Sequence, residues 1–163
     1  MDDVTVLIVY STSILVNTTK MGVSAMVRGS AEMSWFLGPD CSAASQLAHR
    51  HGWRAFFGTA TKTSQGGLSG GVAILVRGHL RVEEWPLEGL PQHRAVAVVL
   101  RLKQIGDLVL VSYYGDVHSA SARDDMCHQL KGRLAVGNCI VGGDFNSPPG
   151  ETGAHVGLLS TAP

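Results

Sequence analysis

The stretch Cys139-Ile140-Val141-Gly142-Gly143-Asp144-Phe145-Asn146-Ser147-Pro148-Pro149 carries the most information in the chain. It opens on a short apolar segment and closes on a proline turn, which predicts a strand over 139–141 running into GGDFNSPPG. In extended backbone, residues two apart share a face. Asp144 and Asn146 are therefore expected side by side at the strand end, with Phe145 turned into the core. Strand ends of this kind are where α/β proteins place their sites. A carboxylate there can accept a proton from water, and an amide beside it can orient a phosphate or hold the carboxylate. Gly, Asp, Asn and Pro are also the commonest turn residues, so the same string taken alone reads equally well as a turn.

Upstream, Met126, Leu130 and Leu134 recur at four-residue spacing and predict a helix over 123–134, with Ser119 or Ser121 placed to cap it. Before it lie three Val- and Leu-rich runs: GVAILV (71–76), AVAVVLRL (95–102) and LVLVSYY (108–114). Turn signals at Arg77-Gly78 and Ile105-Gly106-Asp107 separate them. Their near-continuous apolar character predicts strands covered on both faces. WRAFF (53–57) is a further strand candidate, preceded by helix formers over 43–51 and by Gly52 at the position of a C-terminal cap. Residues 4–9 read as a β-branched strand. Residues 17–42 show no clear period, and 58–71 read as a Gly/Ser/Thr-rich loop. The element order points to an α/β sandwich with mixed sheets inside and helices outside, as a single domain over 1–163.

Two further segments bear on chemistry. The strand 108–114 ends in two tyrosines; Tyr114 shares a face with Ser112 and Tyr113 takes the other, so one phenol can pack while the other reaches a cleft, although two edge aromatics capping the core is the simpler reading of the pair taken alone. Ser69-Gly70-Gly71 enters the next strand through glycines, which allow close backbone approach; a tight turn is the simpler reading and a phosphate cradle the other.

Composition bounds the class. Hydrophobic residues make up 45% of the 163 and charged residues 16%, enough apolar material for a folded core. Thirteen basic and thirteen acidic residues cancel, so bulk charge gives no argument for nucleic acid, although a local basic cleft stays possible on a neutral chain. Three cysteines without a CxxC pair read as reduced, mostly buried thiols and fit an intracellular compartment. The apolar run from Val4 to Val16 is broken by Tyr10 to Ser13, too short for a membrane span, and preceded by Asp2 and Asp3 where an export signal would be basic.

Taken together, SGGVAILV, VSYYGD, the 123–134 helix and VGGDFNSPP resemble the endonuclease/exonuclease/phosphatase family of divalent-metal phosphoesterases. The resemblance covers about residues 53–150, and the wording is also similar to the endonuclease domains of non-LTR retrotransposons. It implies an α/β sandwich of that family's type and metal-dependent phosphodiester hydrolysis, with DNA as a possible partner. It gives Asp144 the role of aligning or deprotonating the attacking water, Asn146 contact with the scissile phosphate, and Tyr114 a hydrogen bond to a phosphate oxygen or support of the metal site. The implied metal is magnesium, or manganese.

The chain departs from the family pattern at both ends. The family's early Asn and Glu ligand have only Asn17 and Glu32 as counterparts, in unlike surroundings; Glu32 reads more readily as a solvated surface residue than as a ligand. The family's closing Asp-His pair has no counterpart, since His155 follows Gly153-Ala154. The domain is therefore expected to be incomplete. A non-catalytic remnant or partner-binding fragment, and a lipid or inositol phosphoesterase, stand as alternatives to a nuclease. Arg77, Arg81, Arg94, Arg101 and Lys103 would make either a basic rim for a phosphate backbone or, by default, a solvated face.

Overall fold

The computed structural model describes residues 6–10, 13–19, 22–29, 41–103, 106–134, 138–146 and 157–159. In chain order the elements are strands β1 (Val6–Tyr10), β2 (Ser13–Thr19) and β3 (Gly22–Gly29), helix α1 (Ser42–Arg50), and strands β4 (Trp53–Gly58), β5 (Thr61–Lys62), β6 (Leu68–Ser69), β7 (Val72–Arg77), β8 (Val82–Trp85), β9 (Ala95–Leu102) and β10 (Gly106–Tyr114). Helix α2 (Ala120–Leu134) and strands β11 (Asn138–Asp144) and β12 (Gly157–Leu159) complete them. One five-stranded sheet has the order β3-β2-β1-β7-β4 and a second has β12-β11-β10-β9-β8. Among the described strands every pairing is antiparallel except that of β10 with β11. A parallel pair needs a crossover, and α2 supplies it.

The two sheets face each other. Val6, Val72, Ile74 and Val76 of the first pack with Val96, Val98, Leu100, Leu108, Leu110 and Ile140 of the second. Burying one such Val or Leu contributes about 1.5–3 kcal/mol. The alternate residues of β9, β10 and β11 form a second core, with Ala97, Val99, Val109, Val111 and Val141 closed over by Leu130 of α2. Hence β9 and β10 are apolar on both faces, as their continuous Val/Leu runs predict. Helix α1 packs along β4 and buries Ala44 and Ala48. It ends as predicted: Gly52 takes φ +75°, and its N–H donates to the His49 carbonyl at 3.0 Å. The result is the α/β sandwich with mixed sheets and flanking helices expected from the sequence.

Several boundaries differ from the sequence reading. Helix α2 starts at Ala120 rather than Arg123, because the Ser119 hydroxyl accepts from the Ala122 N–H at 3.1 Å and caps it there. The stretch read as one loop holds the small hairpin β5–β6, closed by Thr63, whose N–H donates to the Gly67 carbonyl at 2.8 Å and whose hydroxyl accepts the Gly67 N–H at 3.0 Å. Edge strand β8 was not foreseen, and β2 and β3 occupy part of the stretch without a period. Val4 and Thr5, from the predicted first strand, lie outside the described residues.

Registers fix which ends meet. Tyr10 and Gly58 both pair with Val72, Ala95 with Tyr113, and Tyr114 with Asp144. The Gly71 N–H donates to the His93 carbonyl at 2.8 Å, tying the sheets together at that end. The ends of β4, β10 and β11 therefore gather with the starts of β7 and β9.

Candidate active site

Tyr114 and Asp144 are the last residues of the parallel neighbours β10 and β11, and they stand opposite each other in register. Paired residues of adjacent strands project on one face, here the face shared with Leu110 and Ile140, toward the other sheet. Tyr114 is half-buried against the inter-sheet core. Tyr113 takes the opposite face and is fully buried, its ring 5.1 Å from that of Phe145. Both phenols thus pack on a core face, Tyr113 fully and Tyr114 in part, the latter at the strand end on the side of Asp144.

Asn146 reaches the same place by a different route from the one expected. Strand β11 stops at Asp144, so simple alternation no longer applies beyond it. Asn146 has φ +49°, a left-handed conformation that Asn tolerates better than most residues. Its N–H donates to Asp144 Oδ1 at 2.9 Å, and its Nδ2 donates to the Gly115 carbonyl at 2.8 Å. The Gly115 N–H in turn donates to the Asp144 carbonyl at 2.7 Å. Two of these hydrogen bonds join the tips of β10 and β11 and the third closes the Asp144–Asn146 turn, so that Tyr114, Asp144 and Asn146 are held in one unit.

Two glycines allow this closeness. A Cβ on Gly115 would overlap the Phe145 carbonyl oxygen and lie 2.7 Å from its carbon, and a Cβ on Gly143 would overlap the Tyr113 carbonyl oxygen. Both obstacles are backbone, which cannot swing aside. Gly70 (φ +77°) and Gly71 (φ +95°) likewise bring their backbone against His93, which accounts for the pair without a bound phosphate. Partial burial, and then the Arg94 charge, lower the pKa of His93 from its ordinary value.

Sequence reading did not single out Arg94 and Asp116. The Arg94 guanidinium forks: Nη1 donates to the Gly115 carbonyl at 2.9 Å and Nη2 to Asp116 Oδ2 at 2.9 Å, with its carbon 5.4 Å from the centre of the Tyr114 ring. Asp116 Oδ1 accepts the N–H groups of His118 and Ser119 at 2.8 and 2.9 Å. The His118 amide bond foremost, with that of Ser119 and the Arg94 charge, holds the Asp116 pKa below its ordinary value against a smaller opposing effect of burial. Arg123 of α2 donates to the Asp116 carbonyl at 2.8 Å.

The remaining basic residues do not form the rim considered above. Arg77 lies at the far end of β7 with its guanidinium 4.1 Å from the centre of the Trp53 ring. Arg101, also at the far end, pairs with Glu83 at 3.1 Å and with Asp107. Arg81 and Lys103 flank that same end, leaving Arg94 alone of the five at the end of the strands where Asp144 lies.

Glu32, His155 and the Ser147-Pro148-Pro149 turn lie outside the described residues. Asn17 lies in β2, paired in register with Ser24. Among the described residues no group of three or more His, Cys, Asp or Glu side chains is placed to hold a metal ion. At the strand ends the carboxylates are Asp144 and Asp116, and Arg94 and two amides already engage Asp116. The described residues on their own thus do not fit a divalent-metal site.

No protein-family model and no curated protein matches the chain. Among solved structures, it is similar to the endonuclease domain of TRAS1, a telomere-specific non-LTR retrotransposon, with 27% identity over 59% of this chain and 42% of that one and a TM-score of 0.43. It is also similar to the human Nocturnin catalytic domain with bound sulfate anion, with 19% identity over 67% of this chain and 48% of that one and a TM-score of 0.45. The chain spans less than half the length of either. No helix among the described residues is long and apolar enough to cross a membrane.

Proposed function

We propose that this chain is a phosphodiester-hydrolysing domain acting on nucleic acid, with Asp144, Asn146 and Tyr114 as its reacting face. The observation that supports this best is the locked unit at the parallel strand ends. One oxygen of Asp144 accepts the Asn146 N–H, which fixes the carboxylate's direction. Its other oxygen has no protein donor among the described residues and is the group proposed to accept a proton from water. The water oxygen then bonds to phosphorus as the bond to the leaving oxygen breaks.

Asn146 Nδ2 spends one N–H on Gly115 and keeps a second for a non-bridging phosphate oxygen. The Tyr114 hydroxyl supplies another donor from the neighbouring strand. Donors fixed before the reaction stabilise developing charge without reorganising. The resemblance implies magnesium or manganese as well, and the assay therefore supplies magnesium.

A substrate panel tests the class. Single- and double-stranded oligonucleotides and a soluble inositol phosphate are incubated with the folded chain in magnesium buffer. Oligonucleotide cleavage that is lost on Asn146→Ala is the expected result. Phosphate release from the inositol phosphate with intact oligonucleotides would replace the nucleic-acid reading by a small-molecule phosphoesterase.

A further inference from the structure

We infer that Arg94 is a positioning residue for Asn146 and Tyr114, and that Asp116 holds it in that role; the inference rests on the site assignment above. Arg94 is nearly buried, with 13% of its side chain exposed, yet it sits immediately before β9 and not in a core. What occupies it is the tip of β10. The Arg94 carbonyl accepts the Tyr114 N–H at 2.7 Å, Nη1 reaches the Gly115 carbonyl, Nη2 reaches Asp116, and the guanidinium covers the Tyr114 ring.

The Gly115 carbonyl connects this clamp to the site. It accepts from Arg94 Nη1 on one side and from Asn146 Nδ2 on the other. A carbonyl has two lone pairs, so both bonds form together, and the charged donor sets the direction that the peptide presents to the amide. If the peptide rotates, the Asn146 amide loses its acceptor and its second N–H no longer points where the phosphate is proposed to sit.

Asp116 makes the clamp rigid. Its carboxylate is fixed by two backbone amides and its carbonyl by Arg123. The planar guanidinium satisfies a carbonyl and a carboxylate at once from one rotamer. A lysine ammonium at this position keeps the charge but not the fork.

The test compares the parent with Arg94→Lys and Asp116→Asn by two readouts, each after thermal unfolding has shown an intact fold. The first is the side-chain amide pair of Asn146 in a ¹H–¹⁵N spectrum, with Asn138 at the start of β11 as the distant reference. Arg94→Lys is expected to shift and broaden the Asn146 pair while leaving that of Asn138 in place. The second is oligonucleotide cleavage, where kcat should fall roughly 10- to 100-fold, as for a small misplacement of a reacting group, with KM within about twofold. Asp116→Asn should show both effects in weaker form. An unchanged Asn146 pair in Arg94→Lys overturns the positioning role whether or not the chain cleaves. Absence of cleavage by the parent counts against the phosphodiesterase reading alone, because the spectral arm still decides the clamp.

Discussion

Replacing Gly115 with alanine separates the two strand tips by the smallest possible change. The new methyl would overlap the Phe145 carbonyl oxygen, lie 2.7 Å from its carbon and 3.2 Å from its Cα. All three atoms are backbone, so relief requires residues 115 and 145 to move apart. The bonds spanning that gap, Gly115 N–H to Asp144 and Asn146 Nδ2 to Gly115, measure 2.7 and 2.8 Å and have no slack. Losing both costs about 1 kcal/mol each, and forcing a methyl into a filled space costs about 1–3 kcal/mol. The sum is roughly 3–5 kcal/mol, which for a chain of this size lowers Tm by roughly 6–20 °C. Differential scanning calorimetry checks it, with Gly132→Ala as control. That glycine lies in α2, an added Cβ meets nothing within 4 Å, and helix propensity gives a gain of roughly 0.5–1 kcal/mol. A Gly115→Ala variant melting within about 2 °C of the parent would refute the steric reasoning and, with it, the locked unit.

The other expectations concern the face beneath α2. The Tyr113 hydroxyl is fully buried and has no hydrogen-bond partner among the described residues. Burial, with a smaller push from the facing Cys127 thiol, raises its pKa above the ordinary phenol value; a thiol is too weak a partner to satisfy the hydroxyl. Tyr113→Phe should therefore stabilise the fold by about 1 kcal/mol in urea titration, and a loss of similar size would show that the hydroxyl is satisfied after all. Burial pushes the Cys139 thiol up to about 11. A group held protonated by the fold lends stability in full below its unfolded pKa and loses it as pH rises through the folded one. Stability should thus fall by about 2–3 kcal/mol between roughly pH 9 and 11 on account of this thiol. Cys139→Val should flatten that decline, and an unchanged slope would show that Cys139 does not carry it.

The strands that build the central layers were readable because β7, β9 and β10 are buried on both faces and spell continuous Val/Leu runs. Edge strand β8 was not, since Val82 is its only buried residue and Glu83 and Glu84 are exposed, leaving no period. The β5–β6 hairpin is two residues a side and is defined by backbone bonds around Thr63 and Gly67, which composition does not reveal. At the site, Asp144 and Tyr114 could be placed at strand ends, but their pairing depends on a register that spans the whole of α2. Asn146 was expected near Asp144 by alternation and gets there by a left-handed turn instead. Arg94 looked like one of five surface cations; only the fold distinguishes it, by placing the other four at the opposite end.

The most direct test of the central claim is a supercoiled-plasmid nicking assay in magnesium buffer, comparing the folded chain with Asp144→Asn. The exchange keeps the side-chain shape and an oxygen for the Asn146 N–H, so it removes the base while preserving the turn. Nicking by the parent, reduced about 10²- to 10⁴-fold in the variant, is the expected result for loss of a positioned general base. Equal nicking by both proteins, or none by a parent that melts cooperatively, would contradict hydrolysis through Asp144.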